Sequence, residues 1–117
     1  MSMGRQDLLA RLDAHLSAPE REGGVVYAVS ELIPHGTLLR LPHMSLRTQA
    51  DVLLAFVDRE PLANWGHACR FVLIDGDTGE TTTVEARFPP FGSLLVGKWE
   101  VVYRASSVPD SAIAIAK

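Results

Sequence analysis

Leu8, Leu9, Leu12 and Leu16 recur at intervals of one, three and four residues, while Arg5, Arg11 and Asp13 fall off that face. This is the spacing of an amphipathic helix with one buried stripe. Asp7 puts negative charge near the helix start, where the positive end of the dipole favours it. Pro19 disfavours helical geometry at Ala18, and Gly23-Gly24 completes the break. The pattern therefore predicts one helix over residues 5–17, with His15 a boundary residue at the edge of its apolar stripe.

Beyond Gly24 the period changes to two. Val25, Tyr27 and Val29 alternate with Val26, Ala28 and Ser30, which predicts a strand with one well-buried face. Pro34-His35-Gly36 predicts a turn, and residues 37–41 a short strand stopped by Pro42. Residues 46–57 fit two templates. Leu46, Ala50, Leu53, Leu54 and Val57 match helical spacing, yet 52–57 is an unbroken apolar run of strand length. Val52, Phe56 and Val57, β-branched or aromatic, favour the strand.

The segments RFVLID (70–75) and TTTVEARF (81–88) flank Gly76-Asp77-Thr78-Gly79 and predict a β-hairpin. On its second strand Thr83, Glu85 and Arg87 form a wet face, opposite Thr82, Val84, Ala86 and Phe88. Pro89-Pro90 ends that strand, and residues 99–105 alternate as a last one. The closing AIAIAK is apolar and strand-compatible, so it is expected to lie against the sheet or a second copy of the chain. The elements add up to an α+β fold: an N-terminal amphipathic helix packed on a mostly antiparallel sheet of five or six strands. Residues 1–117 are expected to form a single globular domain, a length that buries roughly two-thirds of the unfolded surface without metal or disulfide.

Composition narrows the partners more than the chemistry. Apolar residues are 47% and charged residues 21%, far from the disordered regime. The net charge of −3 and the scatter of eleven basic residues along the chain argue against a nucleic-acid partner. No apolar run approaches the ~20 residues that span a bilayer. The N-terminal stretch carries charges throughout and has no secretory pattern, and one cysteine excludes an internal disulfide, so a cytoplasmic protein without membrane contact is expected.

The residues with chemical character gather in PLANWGHACR, residues 61–70. Cys69 with His67 supplies a thiol and a base for a small hydrolase or transferase, but two residues on an extended backbone are ~6–7 Å apart, beyond a hydrogen bond. The simpler reading makes Cys69 a small buried hydrophobe at a strand start. His35, His43, His67 and Cys69 have zinc-ligand types without ligand spacing, so no metal is expected. The 75–80 turn lacks calcium-loop spacing, with glycine at the fifth position and Ala86 at the twelfth. The carboxylate–arginine neighbours Asp58-Arg59-Glu60 and Glu85-Ala86-Arg87 read as a solvated strand end and a wet sheet face. No glycine-rich phosphate loop, Gly-x-Ser-x-Gly elbow or His-Glu-x-x-His occurs, and no cofactor is expected.

Over residues 70–88 the apolar strand, Asp-Gly-Asp-Thr-Gly-Glu turn and second strand resemble the hairpins of PepSY-type peptidase propeptide domains. The tryptophan–histidine–cysteine segment is no part of that pattern, and the likeness assigns no family.

Antiparallel pairing should bring the end of the second hairpin strand beside the start of the first. Asn64, Trp65, His67 and Arg70 would then meet Phe88, Pro89 and Phe91, an aromatic, proline and arginine cluster of the kind that builds protein-binding surfaces. The expected function is a non-enzymatic interaction module, such as an adaptor, inhibitor, immunity or accessory protein, whose partner is another protein or a second copy in a homodimer. Two other readings stand beside it: the cysteine-dependent enzyme using Cys69 and His67, and a small-molecule binder using the space between helix and sheet.

Overall fold

The computed structural model describes residues 3–41, 44–63, 66–90 and 98–113. Helix α1 spans Arg5–His15 and is followed by a short α2, Ala18–Gly23. Strands β1 (Val25–Val29), β4 (Val52–Asp58), β5 (Cys69–Asp75), β6 (Thr81–Ala86) and β7 (Trp99–Arg104) form one antiparallel sheet in the order β6-β5-β4-β1-β7. Strands β2 (Leu38–Leu41) and β3 (Met44–Arg47) make a separate two-stranded antiparallel pair. A 3₁₀ turn at Asp110–Ala112 follows the last strand. The α+β architecture expected from the sequence is the one observed, and residues 52–57 are strand.

Each face of the sheet has its own cover. Leu8, Leu12 and Leu16 pack with Val26, Ala28, Leu53, Ala55, Val57, Val72 and Ile74 on the helix side. On the other side Tyr27, Phe56 and Phe71 stack along the sheet, with ring centroids 6.1 and 5.3 Å apart. Leu39 and Leu41 of the β2–β3 pair and Val108 close over them. The period-two pattern of β1 predicted one buried face; both are buried, because Val25, Tyr27 and Val29 meet the second layer while Val26 and Ala28 meet the helix. Ala112 and Ile113 pack against the second layer; residues 114–117, with the rest of the expected tail contact, lie outside the described residues.

Two local expectations are corrected. The predicted helix over 5–17 ends at His15, and the stretch read as a break is a second helix. Ser17 Oγ accepts from the Glu20 N–H, and the Glu20 carboxylate accepts from the Ser17 N–H, a reciprocal capping box with Pro19 in the first turn, where its missing N–H does no harm. The second hairpin strand stops at Ala86 instead of reaching residue 88, and Phe88 projects beyond the sheet, 62% exposed.

Candidate functional site

One end of the sheet gathers the starts of β1 and β5 and the ends of β4, β6 and β7, with Asp58 opposite both Val25 and Cys69, and Cys69 opposite Ala86. The expected cluster belongs to this end. Because side chains alternate along β5, Cys69 and Arg70 fall on opposite faces, and two different polar groups form there.

On the helix side Arg70 grips Glu20. Its Nε donates to Oε2 at 2.9 Å and its Nη2 to Oε1 at 2.7 Å, while Arg59 adds a third bond to Oε2 at 3.2 Å. Glu20 is fully buried and Arg70 is 8% exposed. Arg70 Nη1 also lies 3.1 Å from His15 Nδ1; a guanidinium only donates, so Nδ1 is the acceptor. Burial alone would raise the Glu20 carboxyl, but the Arg70 hydrogen bonds and charge, with the Ser17 capping bonds, outweigh it and hold its pKa below the ordinary 4.5. Arg70, expected on the recognition surface, is thus occupied inside the molecule.

On the opposite face His67 Nε2 sits 2.8 Å from Asp58 Oδ1, the two side chains being 6% and 2% exposed. The same oxygen accepts the Glu60 N–H at 3.0 Å, so one carboxylate fastens both ends of the 59–68 loop. Asp58 is therefore no solvated strand end, and His67, half-buried as a residue, turns its ring onto that carboxylate. The loop is also tied to the segment after β6. The Gly66 N–H donates to the Arg87 carbonyl and Arg87 Nη1 donates to the Gly66 carbonyl, both at 3.1 Å. Gly66 has φ +100°, a conformation that side chains other than glycine rarely adopt.

Asp58 gives His67 an orienting carboxylate, the third group that a cysteine–histidine nucleophilic site would use. The arrangement is still not a nucleophilic site. Cys69 is 2% exposed, and no hydrogen bond joins it to His67 among the described residues. Burial, aided by the charges of Asp58 and Glu85, pushes its pKa up to about 11. A thiol so placed is protonated at neutral pH and a poor nucleophile. Alkylation of the folded protein by iodoacetamide should be slow at pH 7–8 and accelerate only toward pH 11, whereas urea-unfolded chain should label near the ordinary thiol range. Fast labelling of folded protein at pH 7 would show that the thiol is activated.

The exposed members of the region are of two kinds: the charged Arg59, Glu60 and Arg87, and two large apolar side chains. Leu62, in the loop, is 73% exposed, and Phe88, just beyond the tied Arg87, is 62% exposed. Pro89 is partly exposed. Asn64, Trp65, Phe91 and His43 lie outside the described residues, so the expected packing of Trp65 on Phe88 is not part of the observed geometry. Among the described residues no three His, Cys, Asp or Glu side chains are placed to hold a metal ion. The space between helix and sheet amounts to a concavity of about 70 Å³ lined by Leu9, Leu12, Leu16, Val26, Val102 and Tyr103. No helix among the described residues is long and apolar enough to cross a membrane.

Comparison with known protein families, with characterised proteins and with solved structures finds no match.

Proposed function

We propose that the protein is a non-enzymatic interaction module that contacts another protein through the end of the sheet where the 59–68 loop meets residues 87–90. One observation carries the reading. The buried polar groups beneath this end are bonded to each other, and two large apolar side chains, Leu62 and Phe88, stand out among the exposed Arg59, Glu60 and Arg87 on two segments tied by the Gly66–Arg87 bonds. Apolar side chains on a preorganised frame lose little conformational entropy on binding, which is how interface anchors work. Phe88 is the anchor in this reading, with Leu62 and Pro89 around it. A cytoplasmic setting belongs to the same proposal, supported by a sole cysteine that is a buried free thiol.

The test places a photoreactive phenylalanine analogue at position 88 and, as a control, at Thr83 on the wet face of β6. A product from position 88 and not from 83, together with loss of that partner's recovery in a pull-down by the unlabelled Leu62→Ser/Phe88→Ser chain, supports the reading; a product at twice the chain mass would make the partner a second copy. The double variant should melt within about 1 kcal/mol of the parent, since it changes exposed residues only. Equal crosslinking from both positions, or recovery unaffected by the double variant, would remove the contact surface from this end.

A further inference from the structure

We propose that a groove at the opposite end of the sheet, beside the outer edge of β6, binds an extended peptide that carries an aliphatic residue flanked by lysine or arginine. The groove is a concavity of about 190 Å³ between the β2–β3 pair and the β5–β6 hairpin. Leu46, Val52 and Leu73 form its apolar floor, and Thr82 of β6 lines its outer side. Its volume suits one aliphatic side chain. Among the described residues β6 pairs with β5 alone, so its second edge is available to main-chain hydrogen bonding. A strand added there sends every second side chain to the face that holds the groove, the arrangement by which sheet edges read peptides.

The charge around the groove selects the peptide. Asp75 and Glu80 line it, and a neighbouring concavity of about 340 Å³, which shares Gln49, adds Asp51 and Asp77. None of these four carboxylates takes part in an ion pair among the described residues. Asp51 and Asp75 each accept local backbone N–H groups through Oδ1, whereas no hydrogen bond reaches the Asp77 or Glu80 carboxylates there. Two guanidiniums stand among these four carboxylates: Arg47 lines the groove and donates Nη1 to the Gly36 carbonyl, and Arg11 lies over Gly79 in the 75–80 turn, which leaves the excess charge negative. A lysine or arginine stem can lie along the apolar wall while its charged head reaches these carboxylates. The groove therefore combines an apolar slot, a strand edge and an excess of carboxylates over guanidiniums, and the occupant that answers all three is a basic, β-compatible peptide.

The experiment titrates the peptide Lys-Val-Lys-Val-Lys into the full ¹⁵N-labelled chain and follows amide shifts. Shifts centred on β6 and on residues 46–49 and 75–80 are expected at micromolar to millimolar peptide. Asp77→Lys/Glu80→Lys alters exposed side chains without hydrogen bonds, so it should fold normally and bind at least about tenfold more weakly. Lys-Ser-Lys-Ser-Lys should bind much more weakly because it leaves the apolar slot empty, and Glu-Val-Glu-Val-Glu should produce no shifts. The proposal is overturned by the absence of shifts at millimolar peptide or by an equal response to the serine peptide. Shifts confined to residues 59–68 and 87–90, or affinity unchanged in the folded double variant, would also overturn it.

Discussion

Arg70→Leu should destabilise the fold by about 3–5 kcal/mol, because it strands a carboxylate that has no access to water. Glu20 is fully buried beneath α2, and two of its charge-assisted bonds come from Arg70. Arg59 remains at 3.2 Å, which places the expected loss near the lower figure. Urea denaturation at pH 7 measures it. The effect should depend on pH with a definite sign. In the parent, the Glu20 pKa is held below 4.5, so its ionised form stabilises the fold above that value and the contribution fades as pH falls through the lower folded pKa. In Arg70→Leu, burial acts on Glu20 with less opposition and disfavours the ionised form. The gap between parent and variant should therefore narrow as pH falls from 7 toward 4. Glu20→Gln/Arg70→Leu keeps an oxygen for the Ser17 N–H and removes the buried charge, so it should recover roughly half of the loss. A single variant as stable as the parent would mean that the pair contributes registry and not stability.

The hairpin was readable from the sequence because its information is local: glycines at 76 and 79, strand formers on either side, a proline pair after. The helix–sheet layering was readable for a similar reason, since the leucine stripe at 8, 12 and 16 and the apolar runs at 52–57 and 70–75 state their period within a few residues. The second helix left a local signal too. Ser17-Ala18-Pro19-Glu20 is a capping-box sequence with proline where a helix starts, and Pro19 and the glycines at 23 and 24 masked it. Strand β3 was submerged in an ambiguous stretch; β2 ends at Leu41, as Pro42 indicated, and nothing in the residues after it announced a partner strand.

The candidate site was legible only in outline. Pairing predicted that the loop before β5 and the segment after β6 share one end of the sheet, and the Gly66–Arg87 bonds join them there. What lies beneath was not legible. Glu20 and Arg70 are fifty residues apart in sequence, and no spacing rule connects a helix-capping glutamate to a strand-start arginine. Asp58, next to Arg59 and Glu60, has the composition of a solvated strand end. It is buried because β4 is central and its last side chain turns under the loop, a consequence of sheet order that one sequence does not reveal.

Asp58→Ala should cost about 3 kcal/mol and release the 59–68 loop. The Glu60 N–H and the His67 Nε2–H both end on Asp58 Oδ1, so the substitution removes the acceptor that these two donors share. Each orphaned donor costs roughly 1–3 kcal/mol, less if it can swing outward. The release should be visible residue by residue. Exchange of the Glu60 amide should speed up most, and the Gly66 amide, held by the Arg87 carbonyl, should follow, while amides in the centre of β4 and β5 lose protection only by the global change in stability. Asp58→Asn is the informative companion. Its amide oxygen can still accept from both donors but carries no charge, so it should keep the loop in place at a smaller cost. If Asp58→Asn loosens the loop as much as Asp58→Ala, charge holds the clasp; if neither loosens it, the Gly66–Arg87 tie is sufficient by itself. The contact surface at this end depends on the same clasp. Releasing the loop should weaken any complex made through Leu62 and Phe88 even though neither side chain is altered.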